Sequence, residues 1–188
     1  MSDDKQQSVY GFDDKASGYD MSGPAFRADL KASELKNISQ PDGTLARELR
    51  CTSADPAVCN DRRQGWYVDL PDAGERVNIN LRLAGSTLVV ASNVPSDEPC
   101  VAGGHGWLNY LNFETGLAVV DGPNGGPAGV QVPDTLIVGN ALTANQNGDV
   151  TSHVSPGSVQ DEPIDIAIPV AAPRPQGRRI GWREAVTN

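Results

Sequence analysis

The chain has very little of what metal and nucleophile chemistry needs: two histidines and three cysteines in 188 residues. His105 and His153 stand apart from each other and from any His/Cys spacing of a zinc site. There is no Gly-x-Ser-x-Gly elbow, and a hydrolase triad needs a histidine beside its nucleophile. His105, inside Gly103-Gly104-His105-Gly106, reads as a loop residue rather than a base. Neither that tetrad nor the glycines of residues 122–129 lead into Gly-Lys-Ser/Thr, so no phosphate loop is predicted. Apolar runs approaching the roughly 18 residues of a membrane helix are also missing, and no membrane span is expected. The first residues are polar and lack the apolar core of a secretory signal, so an exported protein with this start is expected to be a piece of a longer precursor. Positive charge is short as well: 15 Lys+Arg face 24 Asp+Glu, a net charge of -9. Such a surface repels phosphate backbones, and nucleic acid is not an expected partner.

What is present points to strands. Gly 20 and Pro 14, beside a hydrophobic share of 38%, suit many short strands joined by turns and argue against a helical bundle. Residues 65–100 carry the densest pattern. Residues 65–70 form an aromatic and β-branched strand closed by Pro71. Val77, Ile79, Leu81 and Leu83 then alternate with polar or small residues, which predicts a half-buried strand. Residues 87–94 are almost continuously apolar, as expected of a strand covered on both faces.

Elsewhere, residues 9–12, 45–50, 107–113, 117–120, 135–138 and 164–170 read as strands, with residues 150 onward as a return strand. Residues 29–38 fit either a strand or a short helix. Pro41-Asp42-Gly43, Ala84-Gly85-Ser86, Glu114-Thr115-Gly116 and Asn147-Gly148 supply turns. The expected organisation is a polar N-terminus over residues 1–7, a β region over 8–170, and a Pro/Arg-rich tail over 171–188. In that tail, Ile180 and Trp182 lie among Arg174, Arg178, Arg179 and Arg183. It is either a solvated extension or a basic segment that docks on an acidic partner or on its own body. Val9-Tyr10-Gly11-Phe12 with Gly18 echoes Leu108-Asn109-Tyr110-Leu111 with Gly116, an offset of 108 − 9 = 99 positions. That is about two of the ~40–50-residue repeats of a propeller blade.

The candidate sites are sparse. Cys51 and Cys59 flank a turn-rich loop and are a disulfide candidate; two reduced thiols are the alternative. Asp13, Asp14 and Asp20, and likewise Asp69, Asp72 and Glu75, read as turn residues rather than acid/base pairs. Asn145-Gln146-Asn147-Gly148-Asp149 has its glycine too early for a calcium loop and reads as a hairpin. No catalytic, cofactor or metal residue is predicted.

The sequence words resemble those near the C-terminus of PilC/PilY proteins, the type IV pilus tip-associated adhesins and biogenesis factors. The residues that carry the resemblance are Gly65, Trp66, Tyr67, Asp69, Leu70, Pro71, Gly74, Glu75 and Arg76, then Cys100, Gly103, Gly104 and Trp107. It runs in order from about residue 8 to residue 185. It implies an all-β fold, a partial β-propeller of several antiparallel blades ending in the Pro/Arg-rich tail. It further implies a non-enzymatic, secreted role at the pilus or outer membrane, in pilus biogenesis, adhesion and twitching motility. Minor pilins, other pilus components and host or abiotic surfaces would be the partners. The family's calcium loop lies in an earlier blade with no matching run here, so no calcium ligand is carried over and no cofactor is expected in this chain. The signature residues are expected to be scaffold, with Asp69, Glu75 and Arg76 at turns and edges. The alternatives are a fragment of a quinoprotein-type propeller enzyme and an unrelated extracellular β-binding module.

Overall fold

The computed structural model describes residues 6–12, 27, 30–53, 57, 59, 65–96, 103–120, 126–158 and 162–170. Among these, eleven strands form two sheets. The larger sheet has the order β1-β4-β2-β3-β8-β7-β6-β5, built from β1 (Ser8–Phe12), β2 (Lys31–Ser39), β3 (Leu45–Cys51), β4 (Gly65–Asp69), β5 (Arg82–Ala84), β6 (Thr87–Pro95), β7 (Gly104–Asn112) and β8 (Gly126–Val132). The smaller sheet, β11-β10-β9, contains β9 (Ile137–Ala144), β10 (Val150–Pro156) and β11 (Ile164–Ile168). Neighbours pair antiparallel throughout, except β2 and β4, which run parallel. The large sheet is thus two four-stranded units joined at the β3–β8 pair, whose register shifts between Arg47 and Glu48. A bulge of that kind sharpens the local twist and helps the sheet to curl. The all-β, partial-propeller expectation holds.

Two cores follow from the curl. The concave face packs Val9, Leu35, Leu49, Trp66, Val68, Leu70, Val90 and Leu111 together. The convex face of β6 and β7 packs Val89, Ala91, Leu108 and Tyr110 against Ile137, Val150, Val154 and Ile168. Strands β6 and β7 therefore lie in the middle layer. This is why residues 87–94 are apolar at odd and even positions alike: Val89 and Ala91 face one core and Val90 the other.

Several local expectations change. The segment that fits helix or strand is strand β2, because Lys31, Ser33 and Leu35 alternate inward while β3 supplies the hydrogen bonds. Residues 77–81 are not a strand. Their chain is held by the Arg76–Asn93 bridge; Val77 and Ile79 touch the two cores, but Leu81 and Leu83 are exposed, and only Arg82–Ala84 joins β6. Alternation was present without a neighbouring strand to bond. Residues 117–120 form no strand either; Ala118 and Val119 are buried as irregular chain. Gly104, His105 and Gly106 belong to β7 rather than a loop, and residues 126–129 belong to β8, since both segments find partners across the sheet. The echoing segments occupy unlike places: β1 is an edge strand and β7 a central one.

The turns follow their chemistry. Thr44 donates both its N–H and its hydroxyl to Asp42 Oδ1, and these bonds hold the Asp42 carboxyl below its ordinary pKa. Asn145 Oδ1 accepts the N–H groups of Asn147 and Asp149, and its amide donates to Asp149 Oδ2, so the hairpin satisfies its own polar groups. Cys51 and Cys59 are disulfide-bonded, with Cα atoms 5.7 Å apart. Their separation of 8 residues makes the crosslink worth about 2.5 kcal/mol on the loop-entropy model. Reduction is expected to lower the denaturation midpoint by that equivalent. Unchanged unfolding curves with and without reductant would show that the bond constrains nothing.

Candidate functional site

The signature region closes one end of the concave face, and a polar cluster fills that end. Arg47, on β3, shares its face with Leu49 and is fully buried. The turn over residues 72–75 is closed by Glu75 N–H donating to Asp72 C=O, and it carries two acids inward. Arg47 Nη1 and Nη2 each donate to Glu75 at 2.7 Å, one to each carboxylate oxygen. Nη1 also donates to Asn109 Oδ1 at 2.9 Å, Nη2 to Asp72 Oδ2 at 3.0 Å, and Nε to Asn37 Oδ1 at 2.9 Å. All five guanidinium N–H groups are therefore used. The guanidinium carbon lies 3.9 Å from the centroid of the Trp107 ring, whose Nε1–H donates to Asp72 at 2.7 Å.

The second shell is equally committed. Ser92 donates to Glu75 Oε1. Asn109 Nδ2 donates to Ser92 Oγ at 3.1 Å and to Val90 C=O at 3.2 Å. Asn37 donates to Asp72 Oδ1 at 2.6 Å. His105 Nε2 stands 3.7 Å from Asp72 at the outer margin. Gly129 belongs to the cluster by what it lacks: a Cβ there would come 2.9 Å from Asn109 Oδ1.

This arrangement corrects one expectation. Glu75 has a turn backbone, but its side chain is 1% exposed and anchors four strands' worth of polar groups. Asp72, too, is more than a turn residue. The cluster is a saturated ionic hub that ties β2, β3, β6 and β7 to one turn. Its carboxylate oxygens are taken by Arg47, Ser92, Asn37 and Trp107, so a cation has no oxygen set to bind beside the guanidinium. Among the described residues, no three His, Cys, Asp or Glu side chains converge as metal ligands.

The other signature residues are spread around this hub. Trp66 and Leu70 are core residues, and Trp66 Nε1–H donates to Phe113 C=O at 2.9 Å. Gly65 and Gly104 each let a neighbouring strand's carbonyl approach closely; Gly74 takes φ 72° in the turn. Gly103 C=O accepts from Ser96 N–H, closing the base of the loop between β6 and β7. Arg76 exchanges backbone hydrogen bonds with Asn93, and Pro71 is exposed. Cys100 lies outside the described residues, as do Asp13, Asp14, Asp20 and the tail over residues 171–188.

Asp69, on β4, builds a second set. Its carboxylate accepts from Ser8 Oγ at 2.5 Å and from Arg27 Nη2 at 2.6 and 2.7 Å. Arg27 lies 4.0 Å over the Tyr67 ring. Partial burial opposes its charge, but the Asp69 hydrogen bond and field outweigh this and hold its pKa above the ordinary value. His153 is not isolated: Asp165 Oδ1 lies 2.6 Å from Nδ1, and Thr143 Oγ1 lies 2.7 Å from Nε2. This chain crosses all three strands of the small sheet on its exposed face and works as a cross-strand tie.

A largely apolar groove of about 490 Å³ separates β11 from β3 and β8, with Leu45, Tyr110, Val130, Val132, Ile166 and Asp165 among its lining. Tyr110 is 6% exposed, and burial pushes its phenol pKa above the ordinary 10.0. Below pH 10 the phenol is neutral in both folded and unfolded chains and stability is unaffected. Above it the unfolded chain ionises first, so stability falls as pH rises. Tyr110→Phe is expected to flatten that alkaline loss in denaturation curves at pH 9–11; an identical slope in both proteins would refute the assignment.

No protein-family model and no curated protein matches the chain. The crystal structure of the Pseudomonas aeruginosa PilY1 C-terminal domain does match in fold, with a TM-score of 0.51 and 15% sequence identity. The match covers 81% of this chain and 36% of that one, so this chain spans about a third of that domain. Strand content, the curled sheet and its companion sheet all agree with that likeness. This chain has a fold like that of the PilY1 C-terminal domain.

Proposed function

We propose that the protein is a non-enzymatic component of the type IV pilus machinery that acts outside the cell in pilus biogenesis, adhesion and twitching motility. The fold likeness to the PilY1 C-terminal domain over 81% of the chain carries this reading. The sequence words of residues 65–107 support it from an independent direction. The most polar cluster in the interior supports the non-enzymatic part: it is saturated by internal bonds and has no donor or acceptor left for a substrate. The Cys51–Cys59 disulfide suits an oxidising compartment. Minor pilins and other pilus components are the partners that this role requires.

Deletion of the gene in its source organism is the test. Surface pili and twitching are expected to be lost or sharply reduced, and restored by the intact gene but not by one encoding Arg47→Ala. Normal piliation and motility in the deletion strain would overturn the reading.

A further inference from the structure

The small sheet ends in an unusual edge. Among the described strands β11 pairs only with β10, and its other side opens onto the groove, which Ile164, Asp165, Ile166 and Ala167 all line. Four consecutive residues line a groove only when the strand's edge, rather than one face, borders it. An unpaired edge beside an apolar floor is a template for one more strand. Its size falls within the ~300–1,000 Å³ of sites that take a defined occupant.

The chain that leaves β11 has a matching pattern. Pro169 C=O is fixed by Thr87 Oγ1, and Val170 packs on the second core, so the backbone exits at the far end of β11. Residues 171–177 contain Pro173, Pro175 and Gly177, which favour a reversal. Residues 178–183 then read Arg178-Arg179-Ile180-Gly181-Trp182-Arg183. Ile180 and Trp182 fall at alternate positions, and Arg179 and Arg183 share the opposite parity. In β11 the isoleucines alternate in the same way with Asp165, which alone is charged among the lining residues. An antiparallel return needs only the short reversal, whereas a parallel one would need a crossover of a dozen or more residues.

We propose that residues 178–183 of this chain return along β11 as a fourth, antiparallel strand of the small sheet, which seats Ile180 and Trp182 in the groove and sets Arg179 and Arg183 beside Asp165. The segment covers Tyr110 and the rim residue Ile164, and the body's acidic charge holds a basic strand in place.

Tryptophan fluorescence of the full chain tests this, because two of the three tryptophans, Trp66 and Trp107, are buried at 3% and 0% exposure. The difference between the wild type and Trp182→Phe isolates Trp182. Its emission is expected to be blue-shifted and poorly quenched by acrylamide at every protein concentration. Ala167→Arg, at the groove's exposed edge, is expected to raise Trp182 quenching severalfold while Trp66 and Trp107 keep their emission. Free quenching of Trp182 in the unmodified chain overturns the proposal. So does shielding that disappears on dilution, which would mean that a second copy supplies the strand. Shielding that Ala167→Arg leaves untouched would place the segment elsewhere and overturns it too.

Discussion

Arg47→Ala is expected to destabilise the protein by about 3–5 kcal/mol, the cost of leaving buried charges without their partner. Removing the guanidinium strands the Glu75 carboxylate at 1% exposure, with only Ser92 and the Asp72 N–H as remaining donors. It also removes the group stacked on Trp107 and the bond to Asn109. For a chain of this size, each kcal/mol moves the melting temperature by roughly 2–4 °C, so the fall is of order 6–20 °C. Glu75→Gln keeps the shape and removes the charge, and its cost is expected to be smaller than that of Arg47→Ala. Arg47→Met combined with Glu75→Leu and Asp72→Asn is expected to recover a large part of the loss, because an apolar set of similar volume often replaces a buried ionic one without penalty. Denaturant titration by circular dichroism decides the matter. A loss below about 1 kcal/mol for Arg47→Ala would mean that the site is wet and the hub peripheral.

The second large effect is expected at Trp66. Its indole lies between two glycines, Gly11 of β1 and Gly116 of the turn after β7, and a Cβ at either would sit inside the ring's van der Waals surface. Gly116 also has φ 61°, a conformation in which a side chain costs about 1–2 kcal/mol. Gly116→Ala therefore adds backbone strain to a displaced ring, for a total of roughly 2–4 kcal/mol. Trp66→Ala is expected to cost about 3–5 kcal/mol through the cavity it leaves in the concave core. The Gly116→Ala, Trp66→Phe pair separates the two causes. A smaller ring relieves the clash but not the strain, so the double variant is expected to be more stable than the sum of the singles predicts. Strict additivity would show that the ring does not rest on Gly116.

Much of the fold was legible along the chain. Strands β1, β3, β4, β6, β10 and β11, and the turns at Gly43, Gly85, Gly116 and Gly148, follow from residue period and from glycine's tolerance of positive φ. Failures came where a hydrogen-bonding partner decides. Residues 77–81 alternate correctly yet have no strand beside them, while the glycine-rich start of β7 is a strand because β6 and β8 flank it.

The hub shows the same division. Its parity was written in the sequence: Arg47 shares a face with Leu49, and Trp107 with Asn109 and Leu111. What the sequence by itself determined was a β-rich chain, its turns and which residues share a strand face, because those depend on φ, ψ and spacing within a few residues. Only the tertiary structure decided that Asp72 and Glu75, 25 and 28 residues beyond Arg47, turn inward to meet it. A carboxylate at a turn reads the same whether it faces water or a buried guanidinium. Charge is retained in the interior only when the curl of the sheet brings five acceptors around one cation.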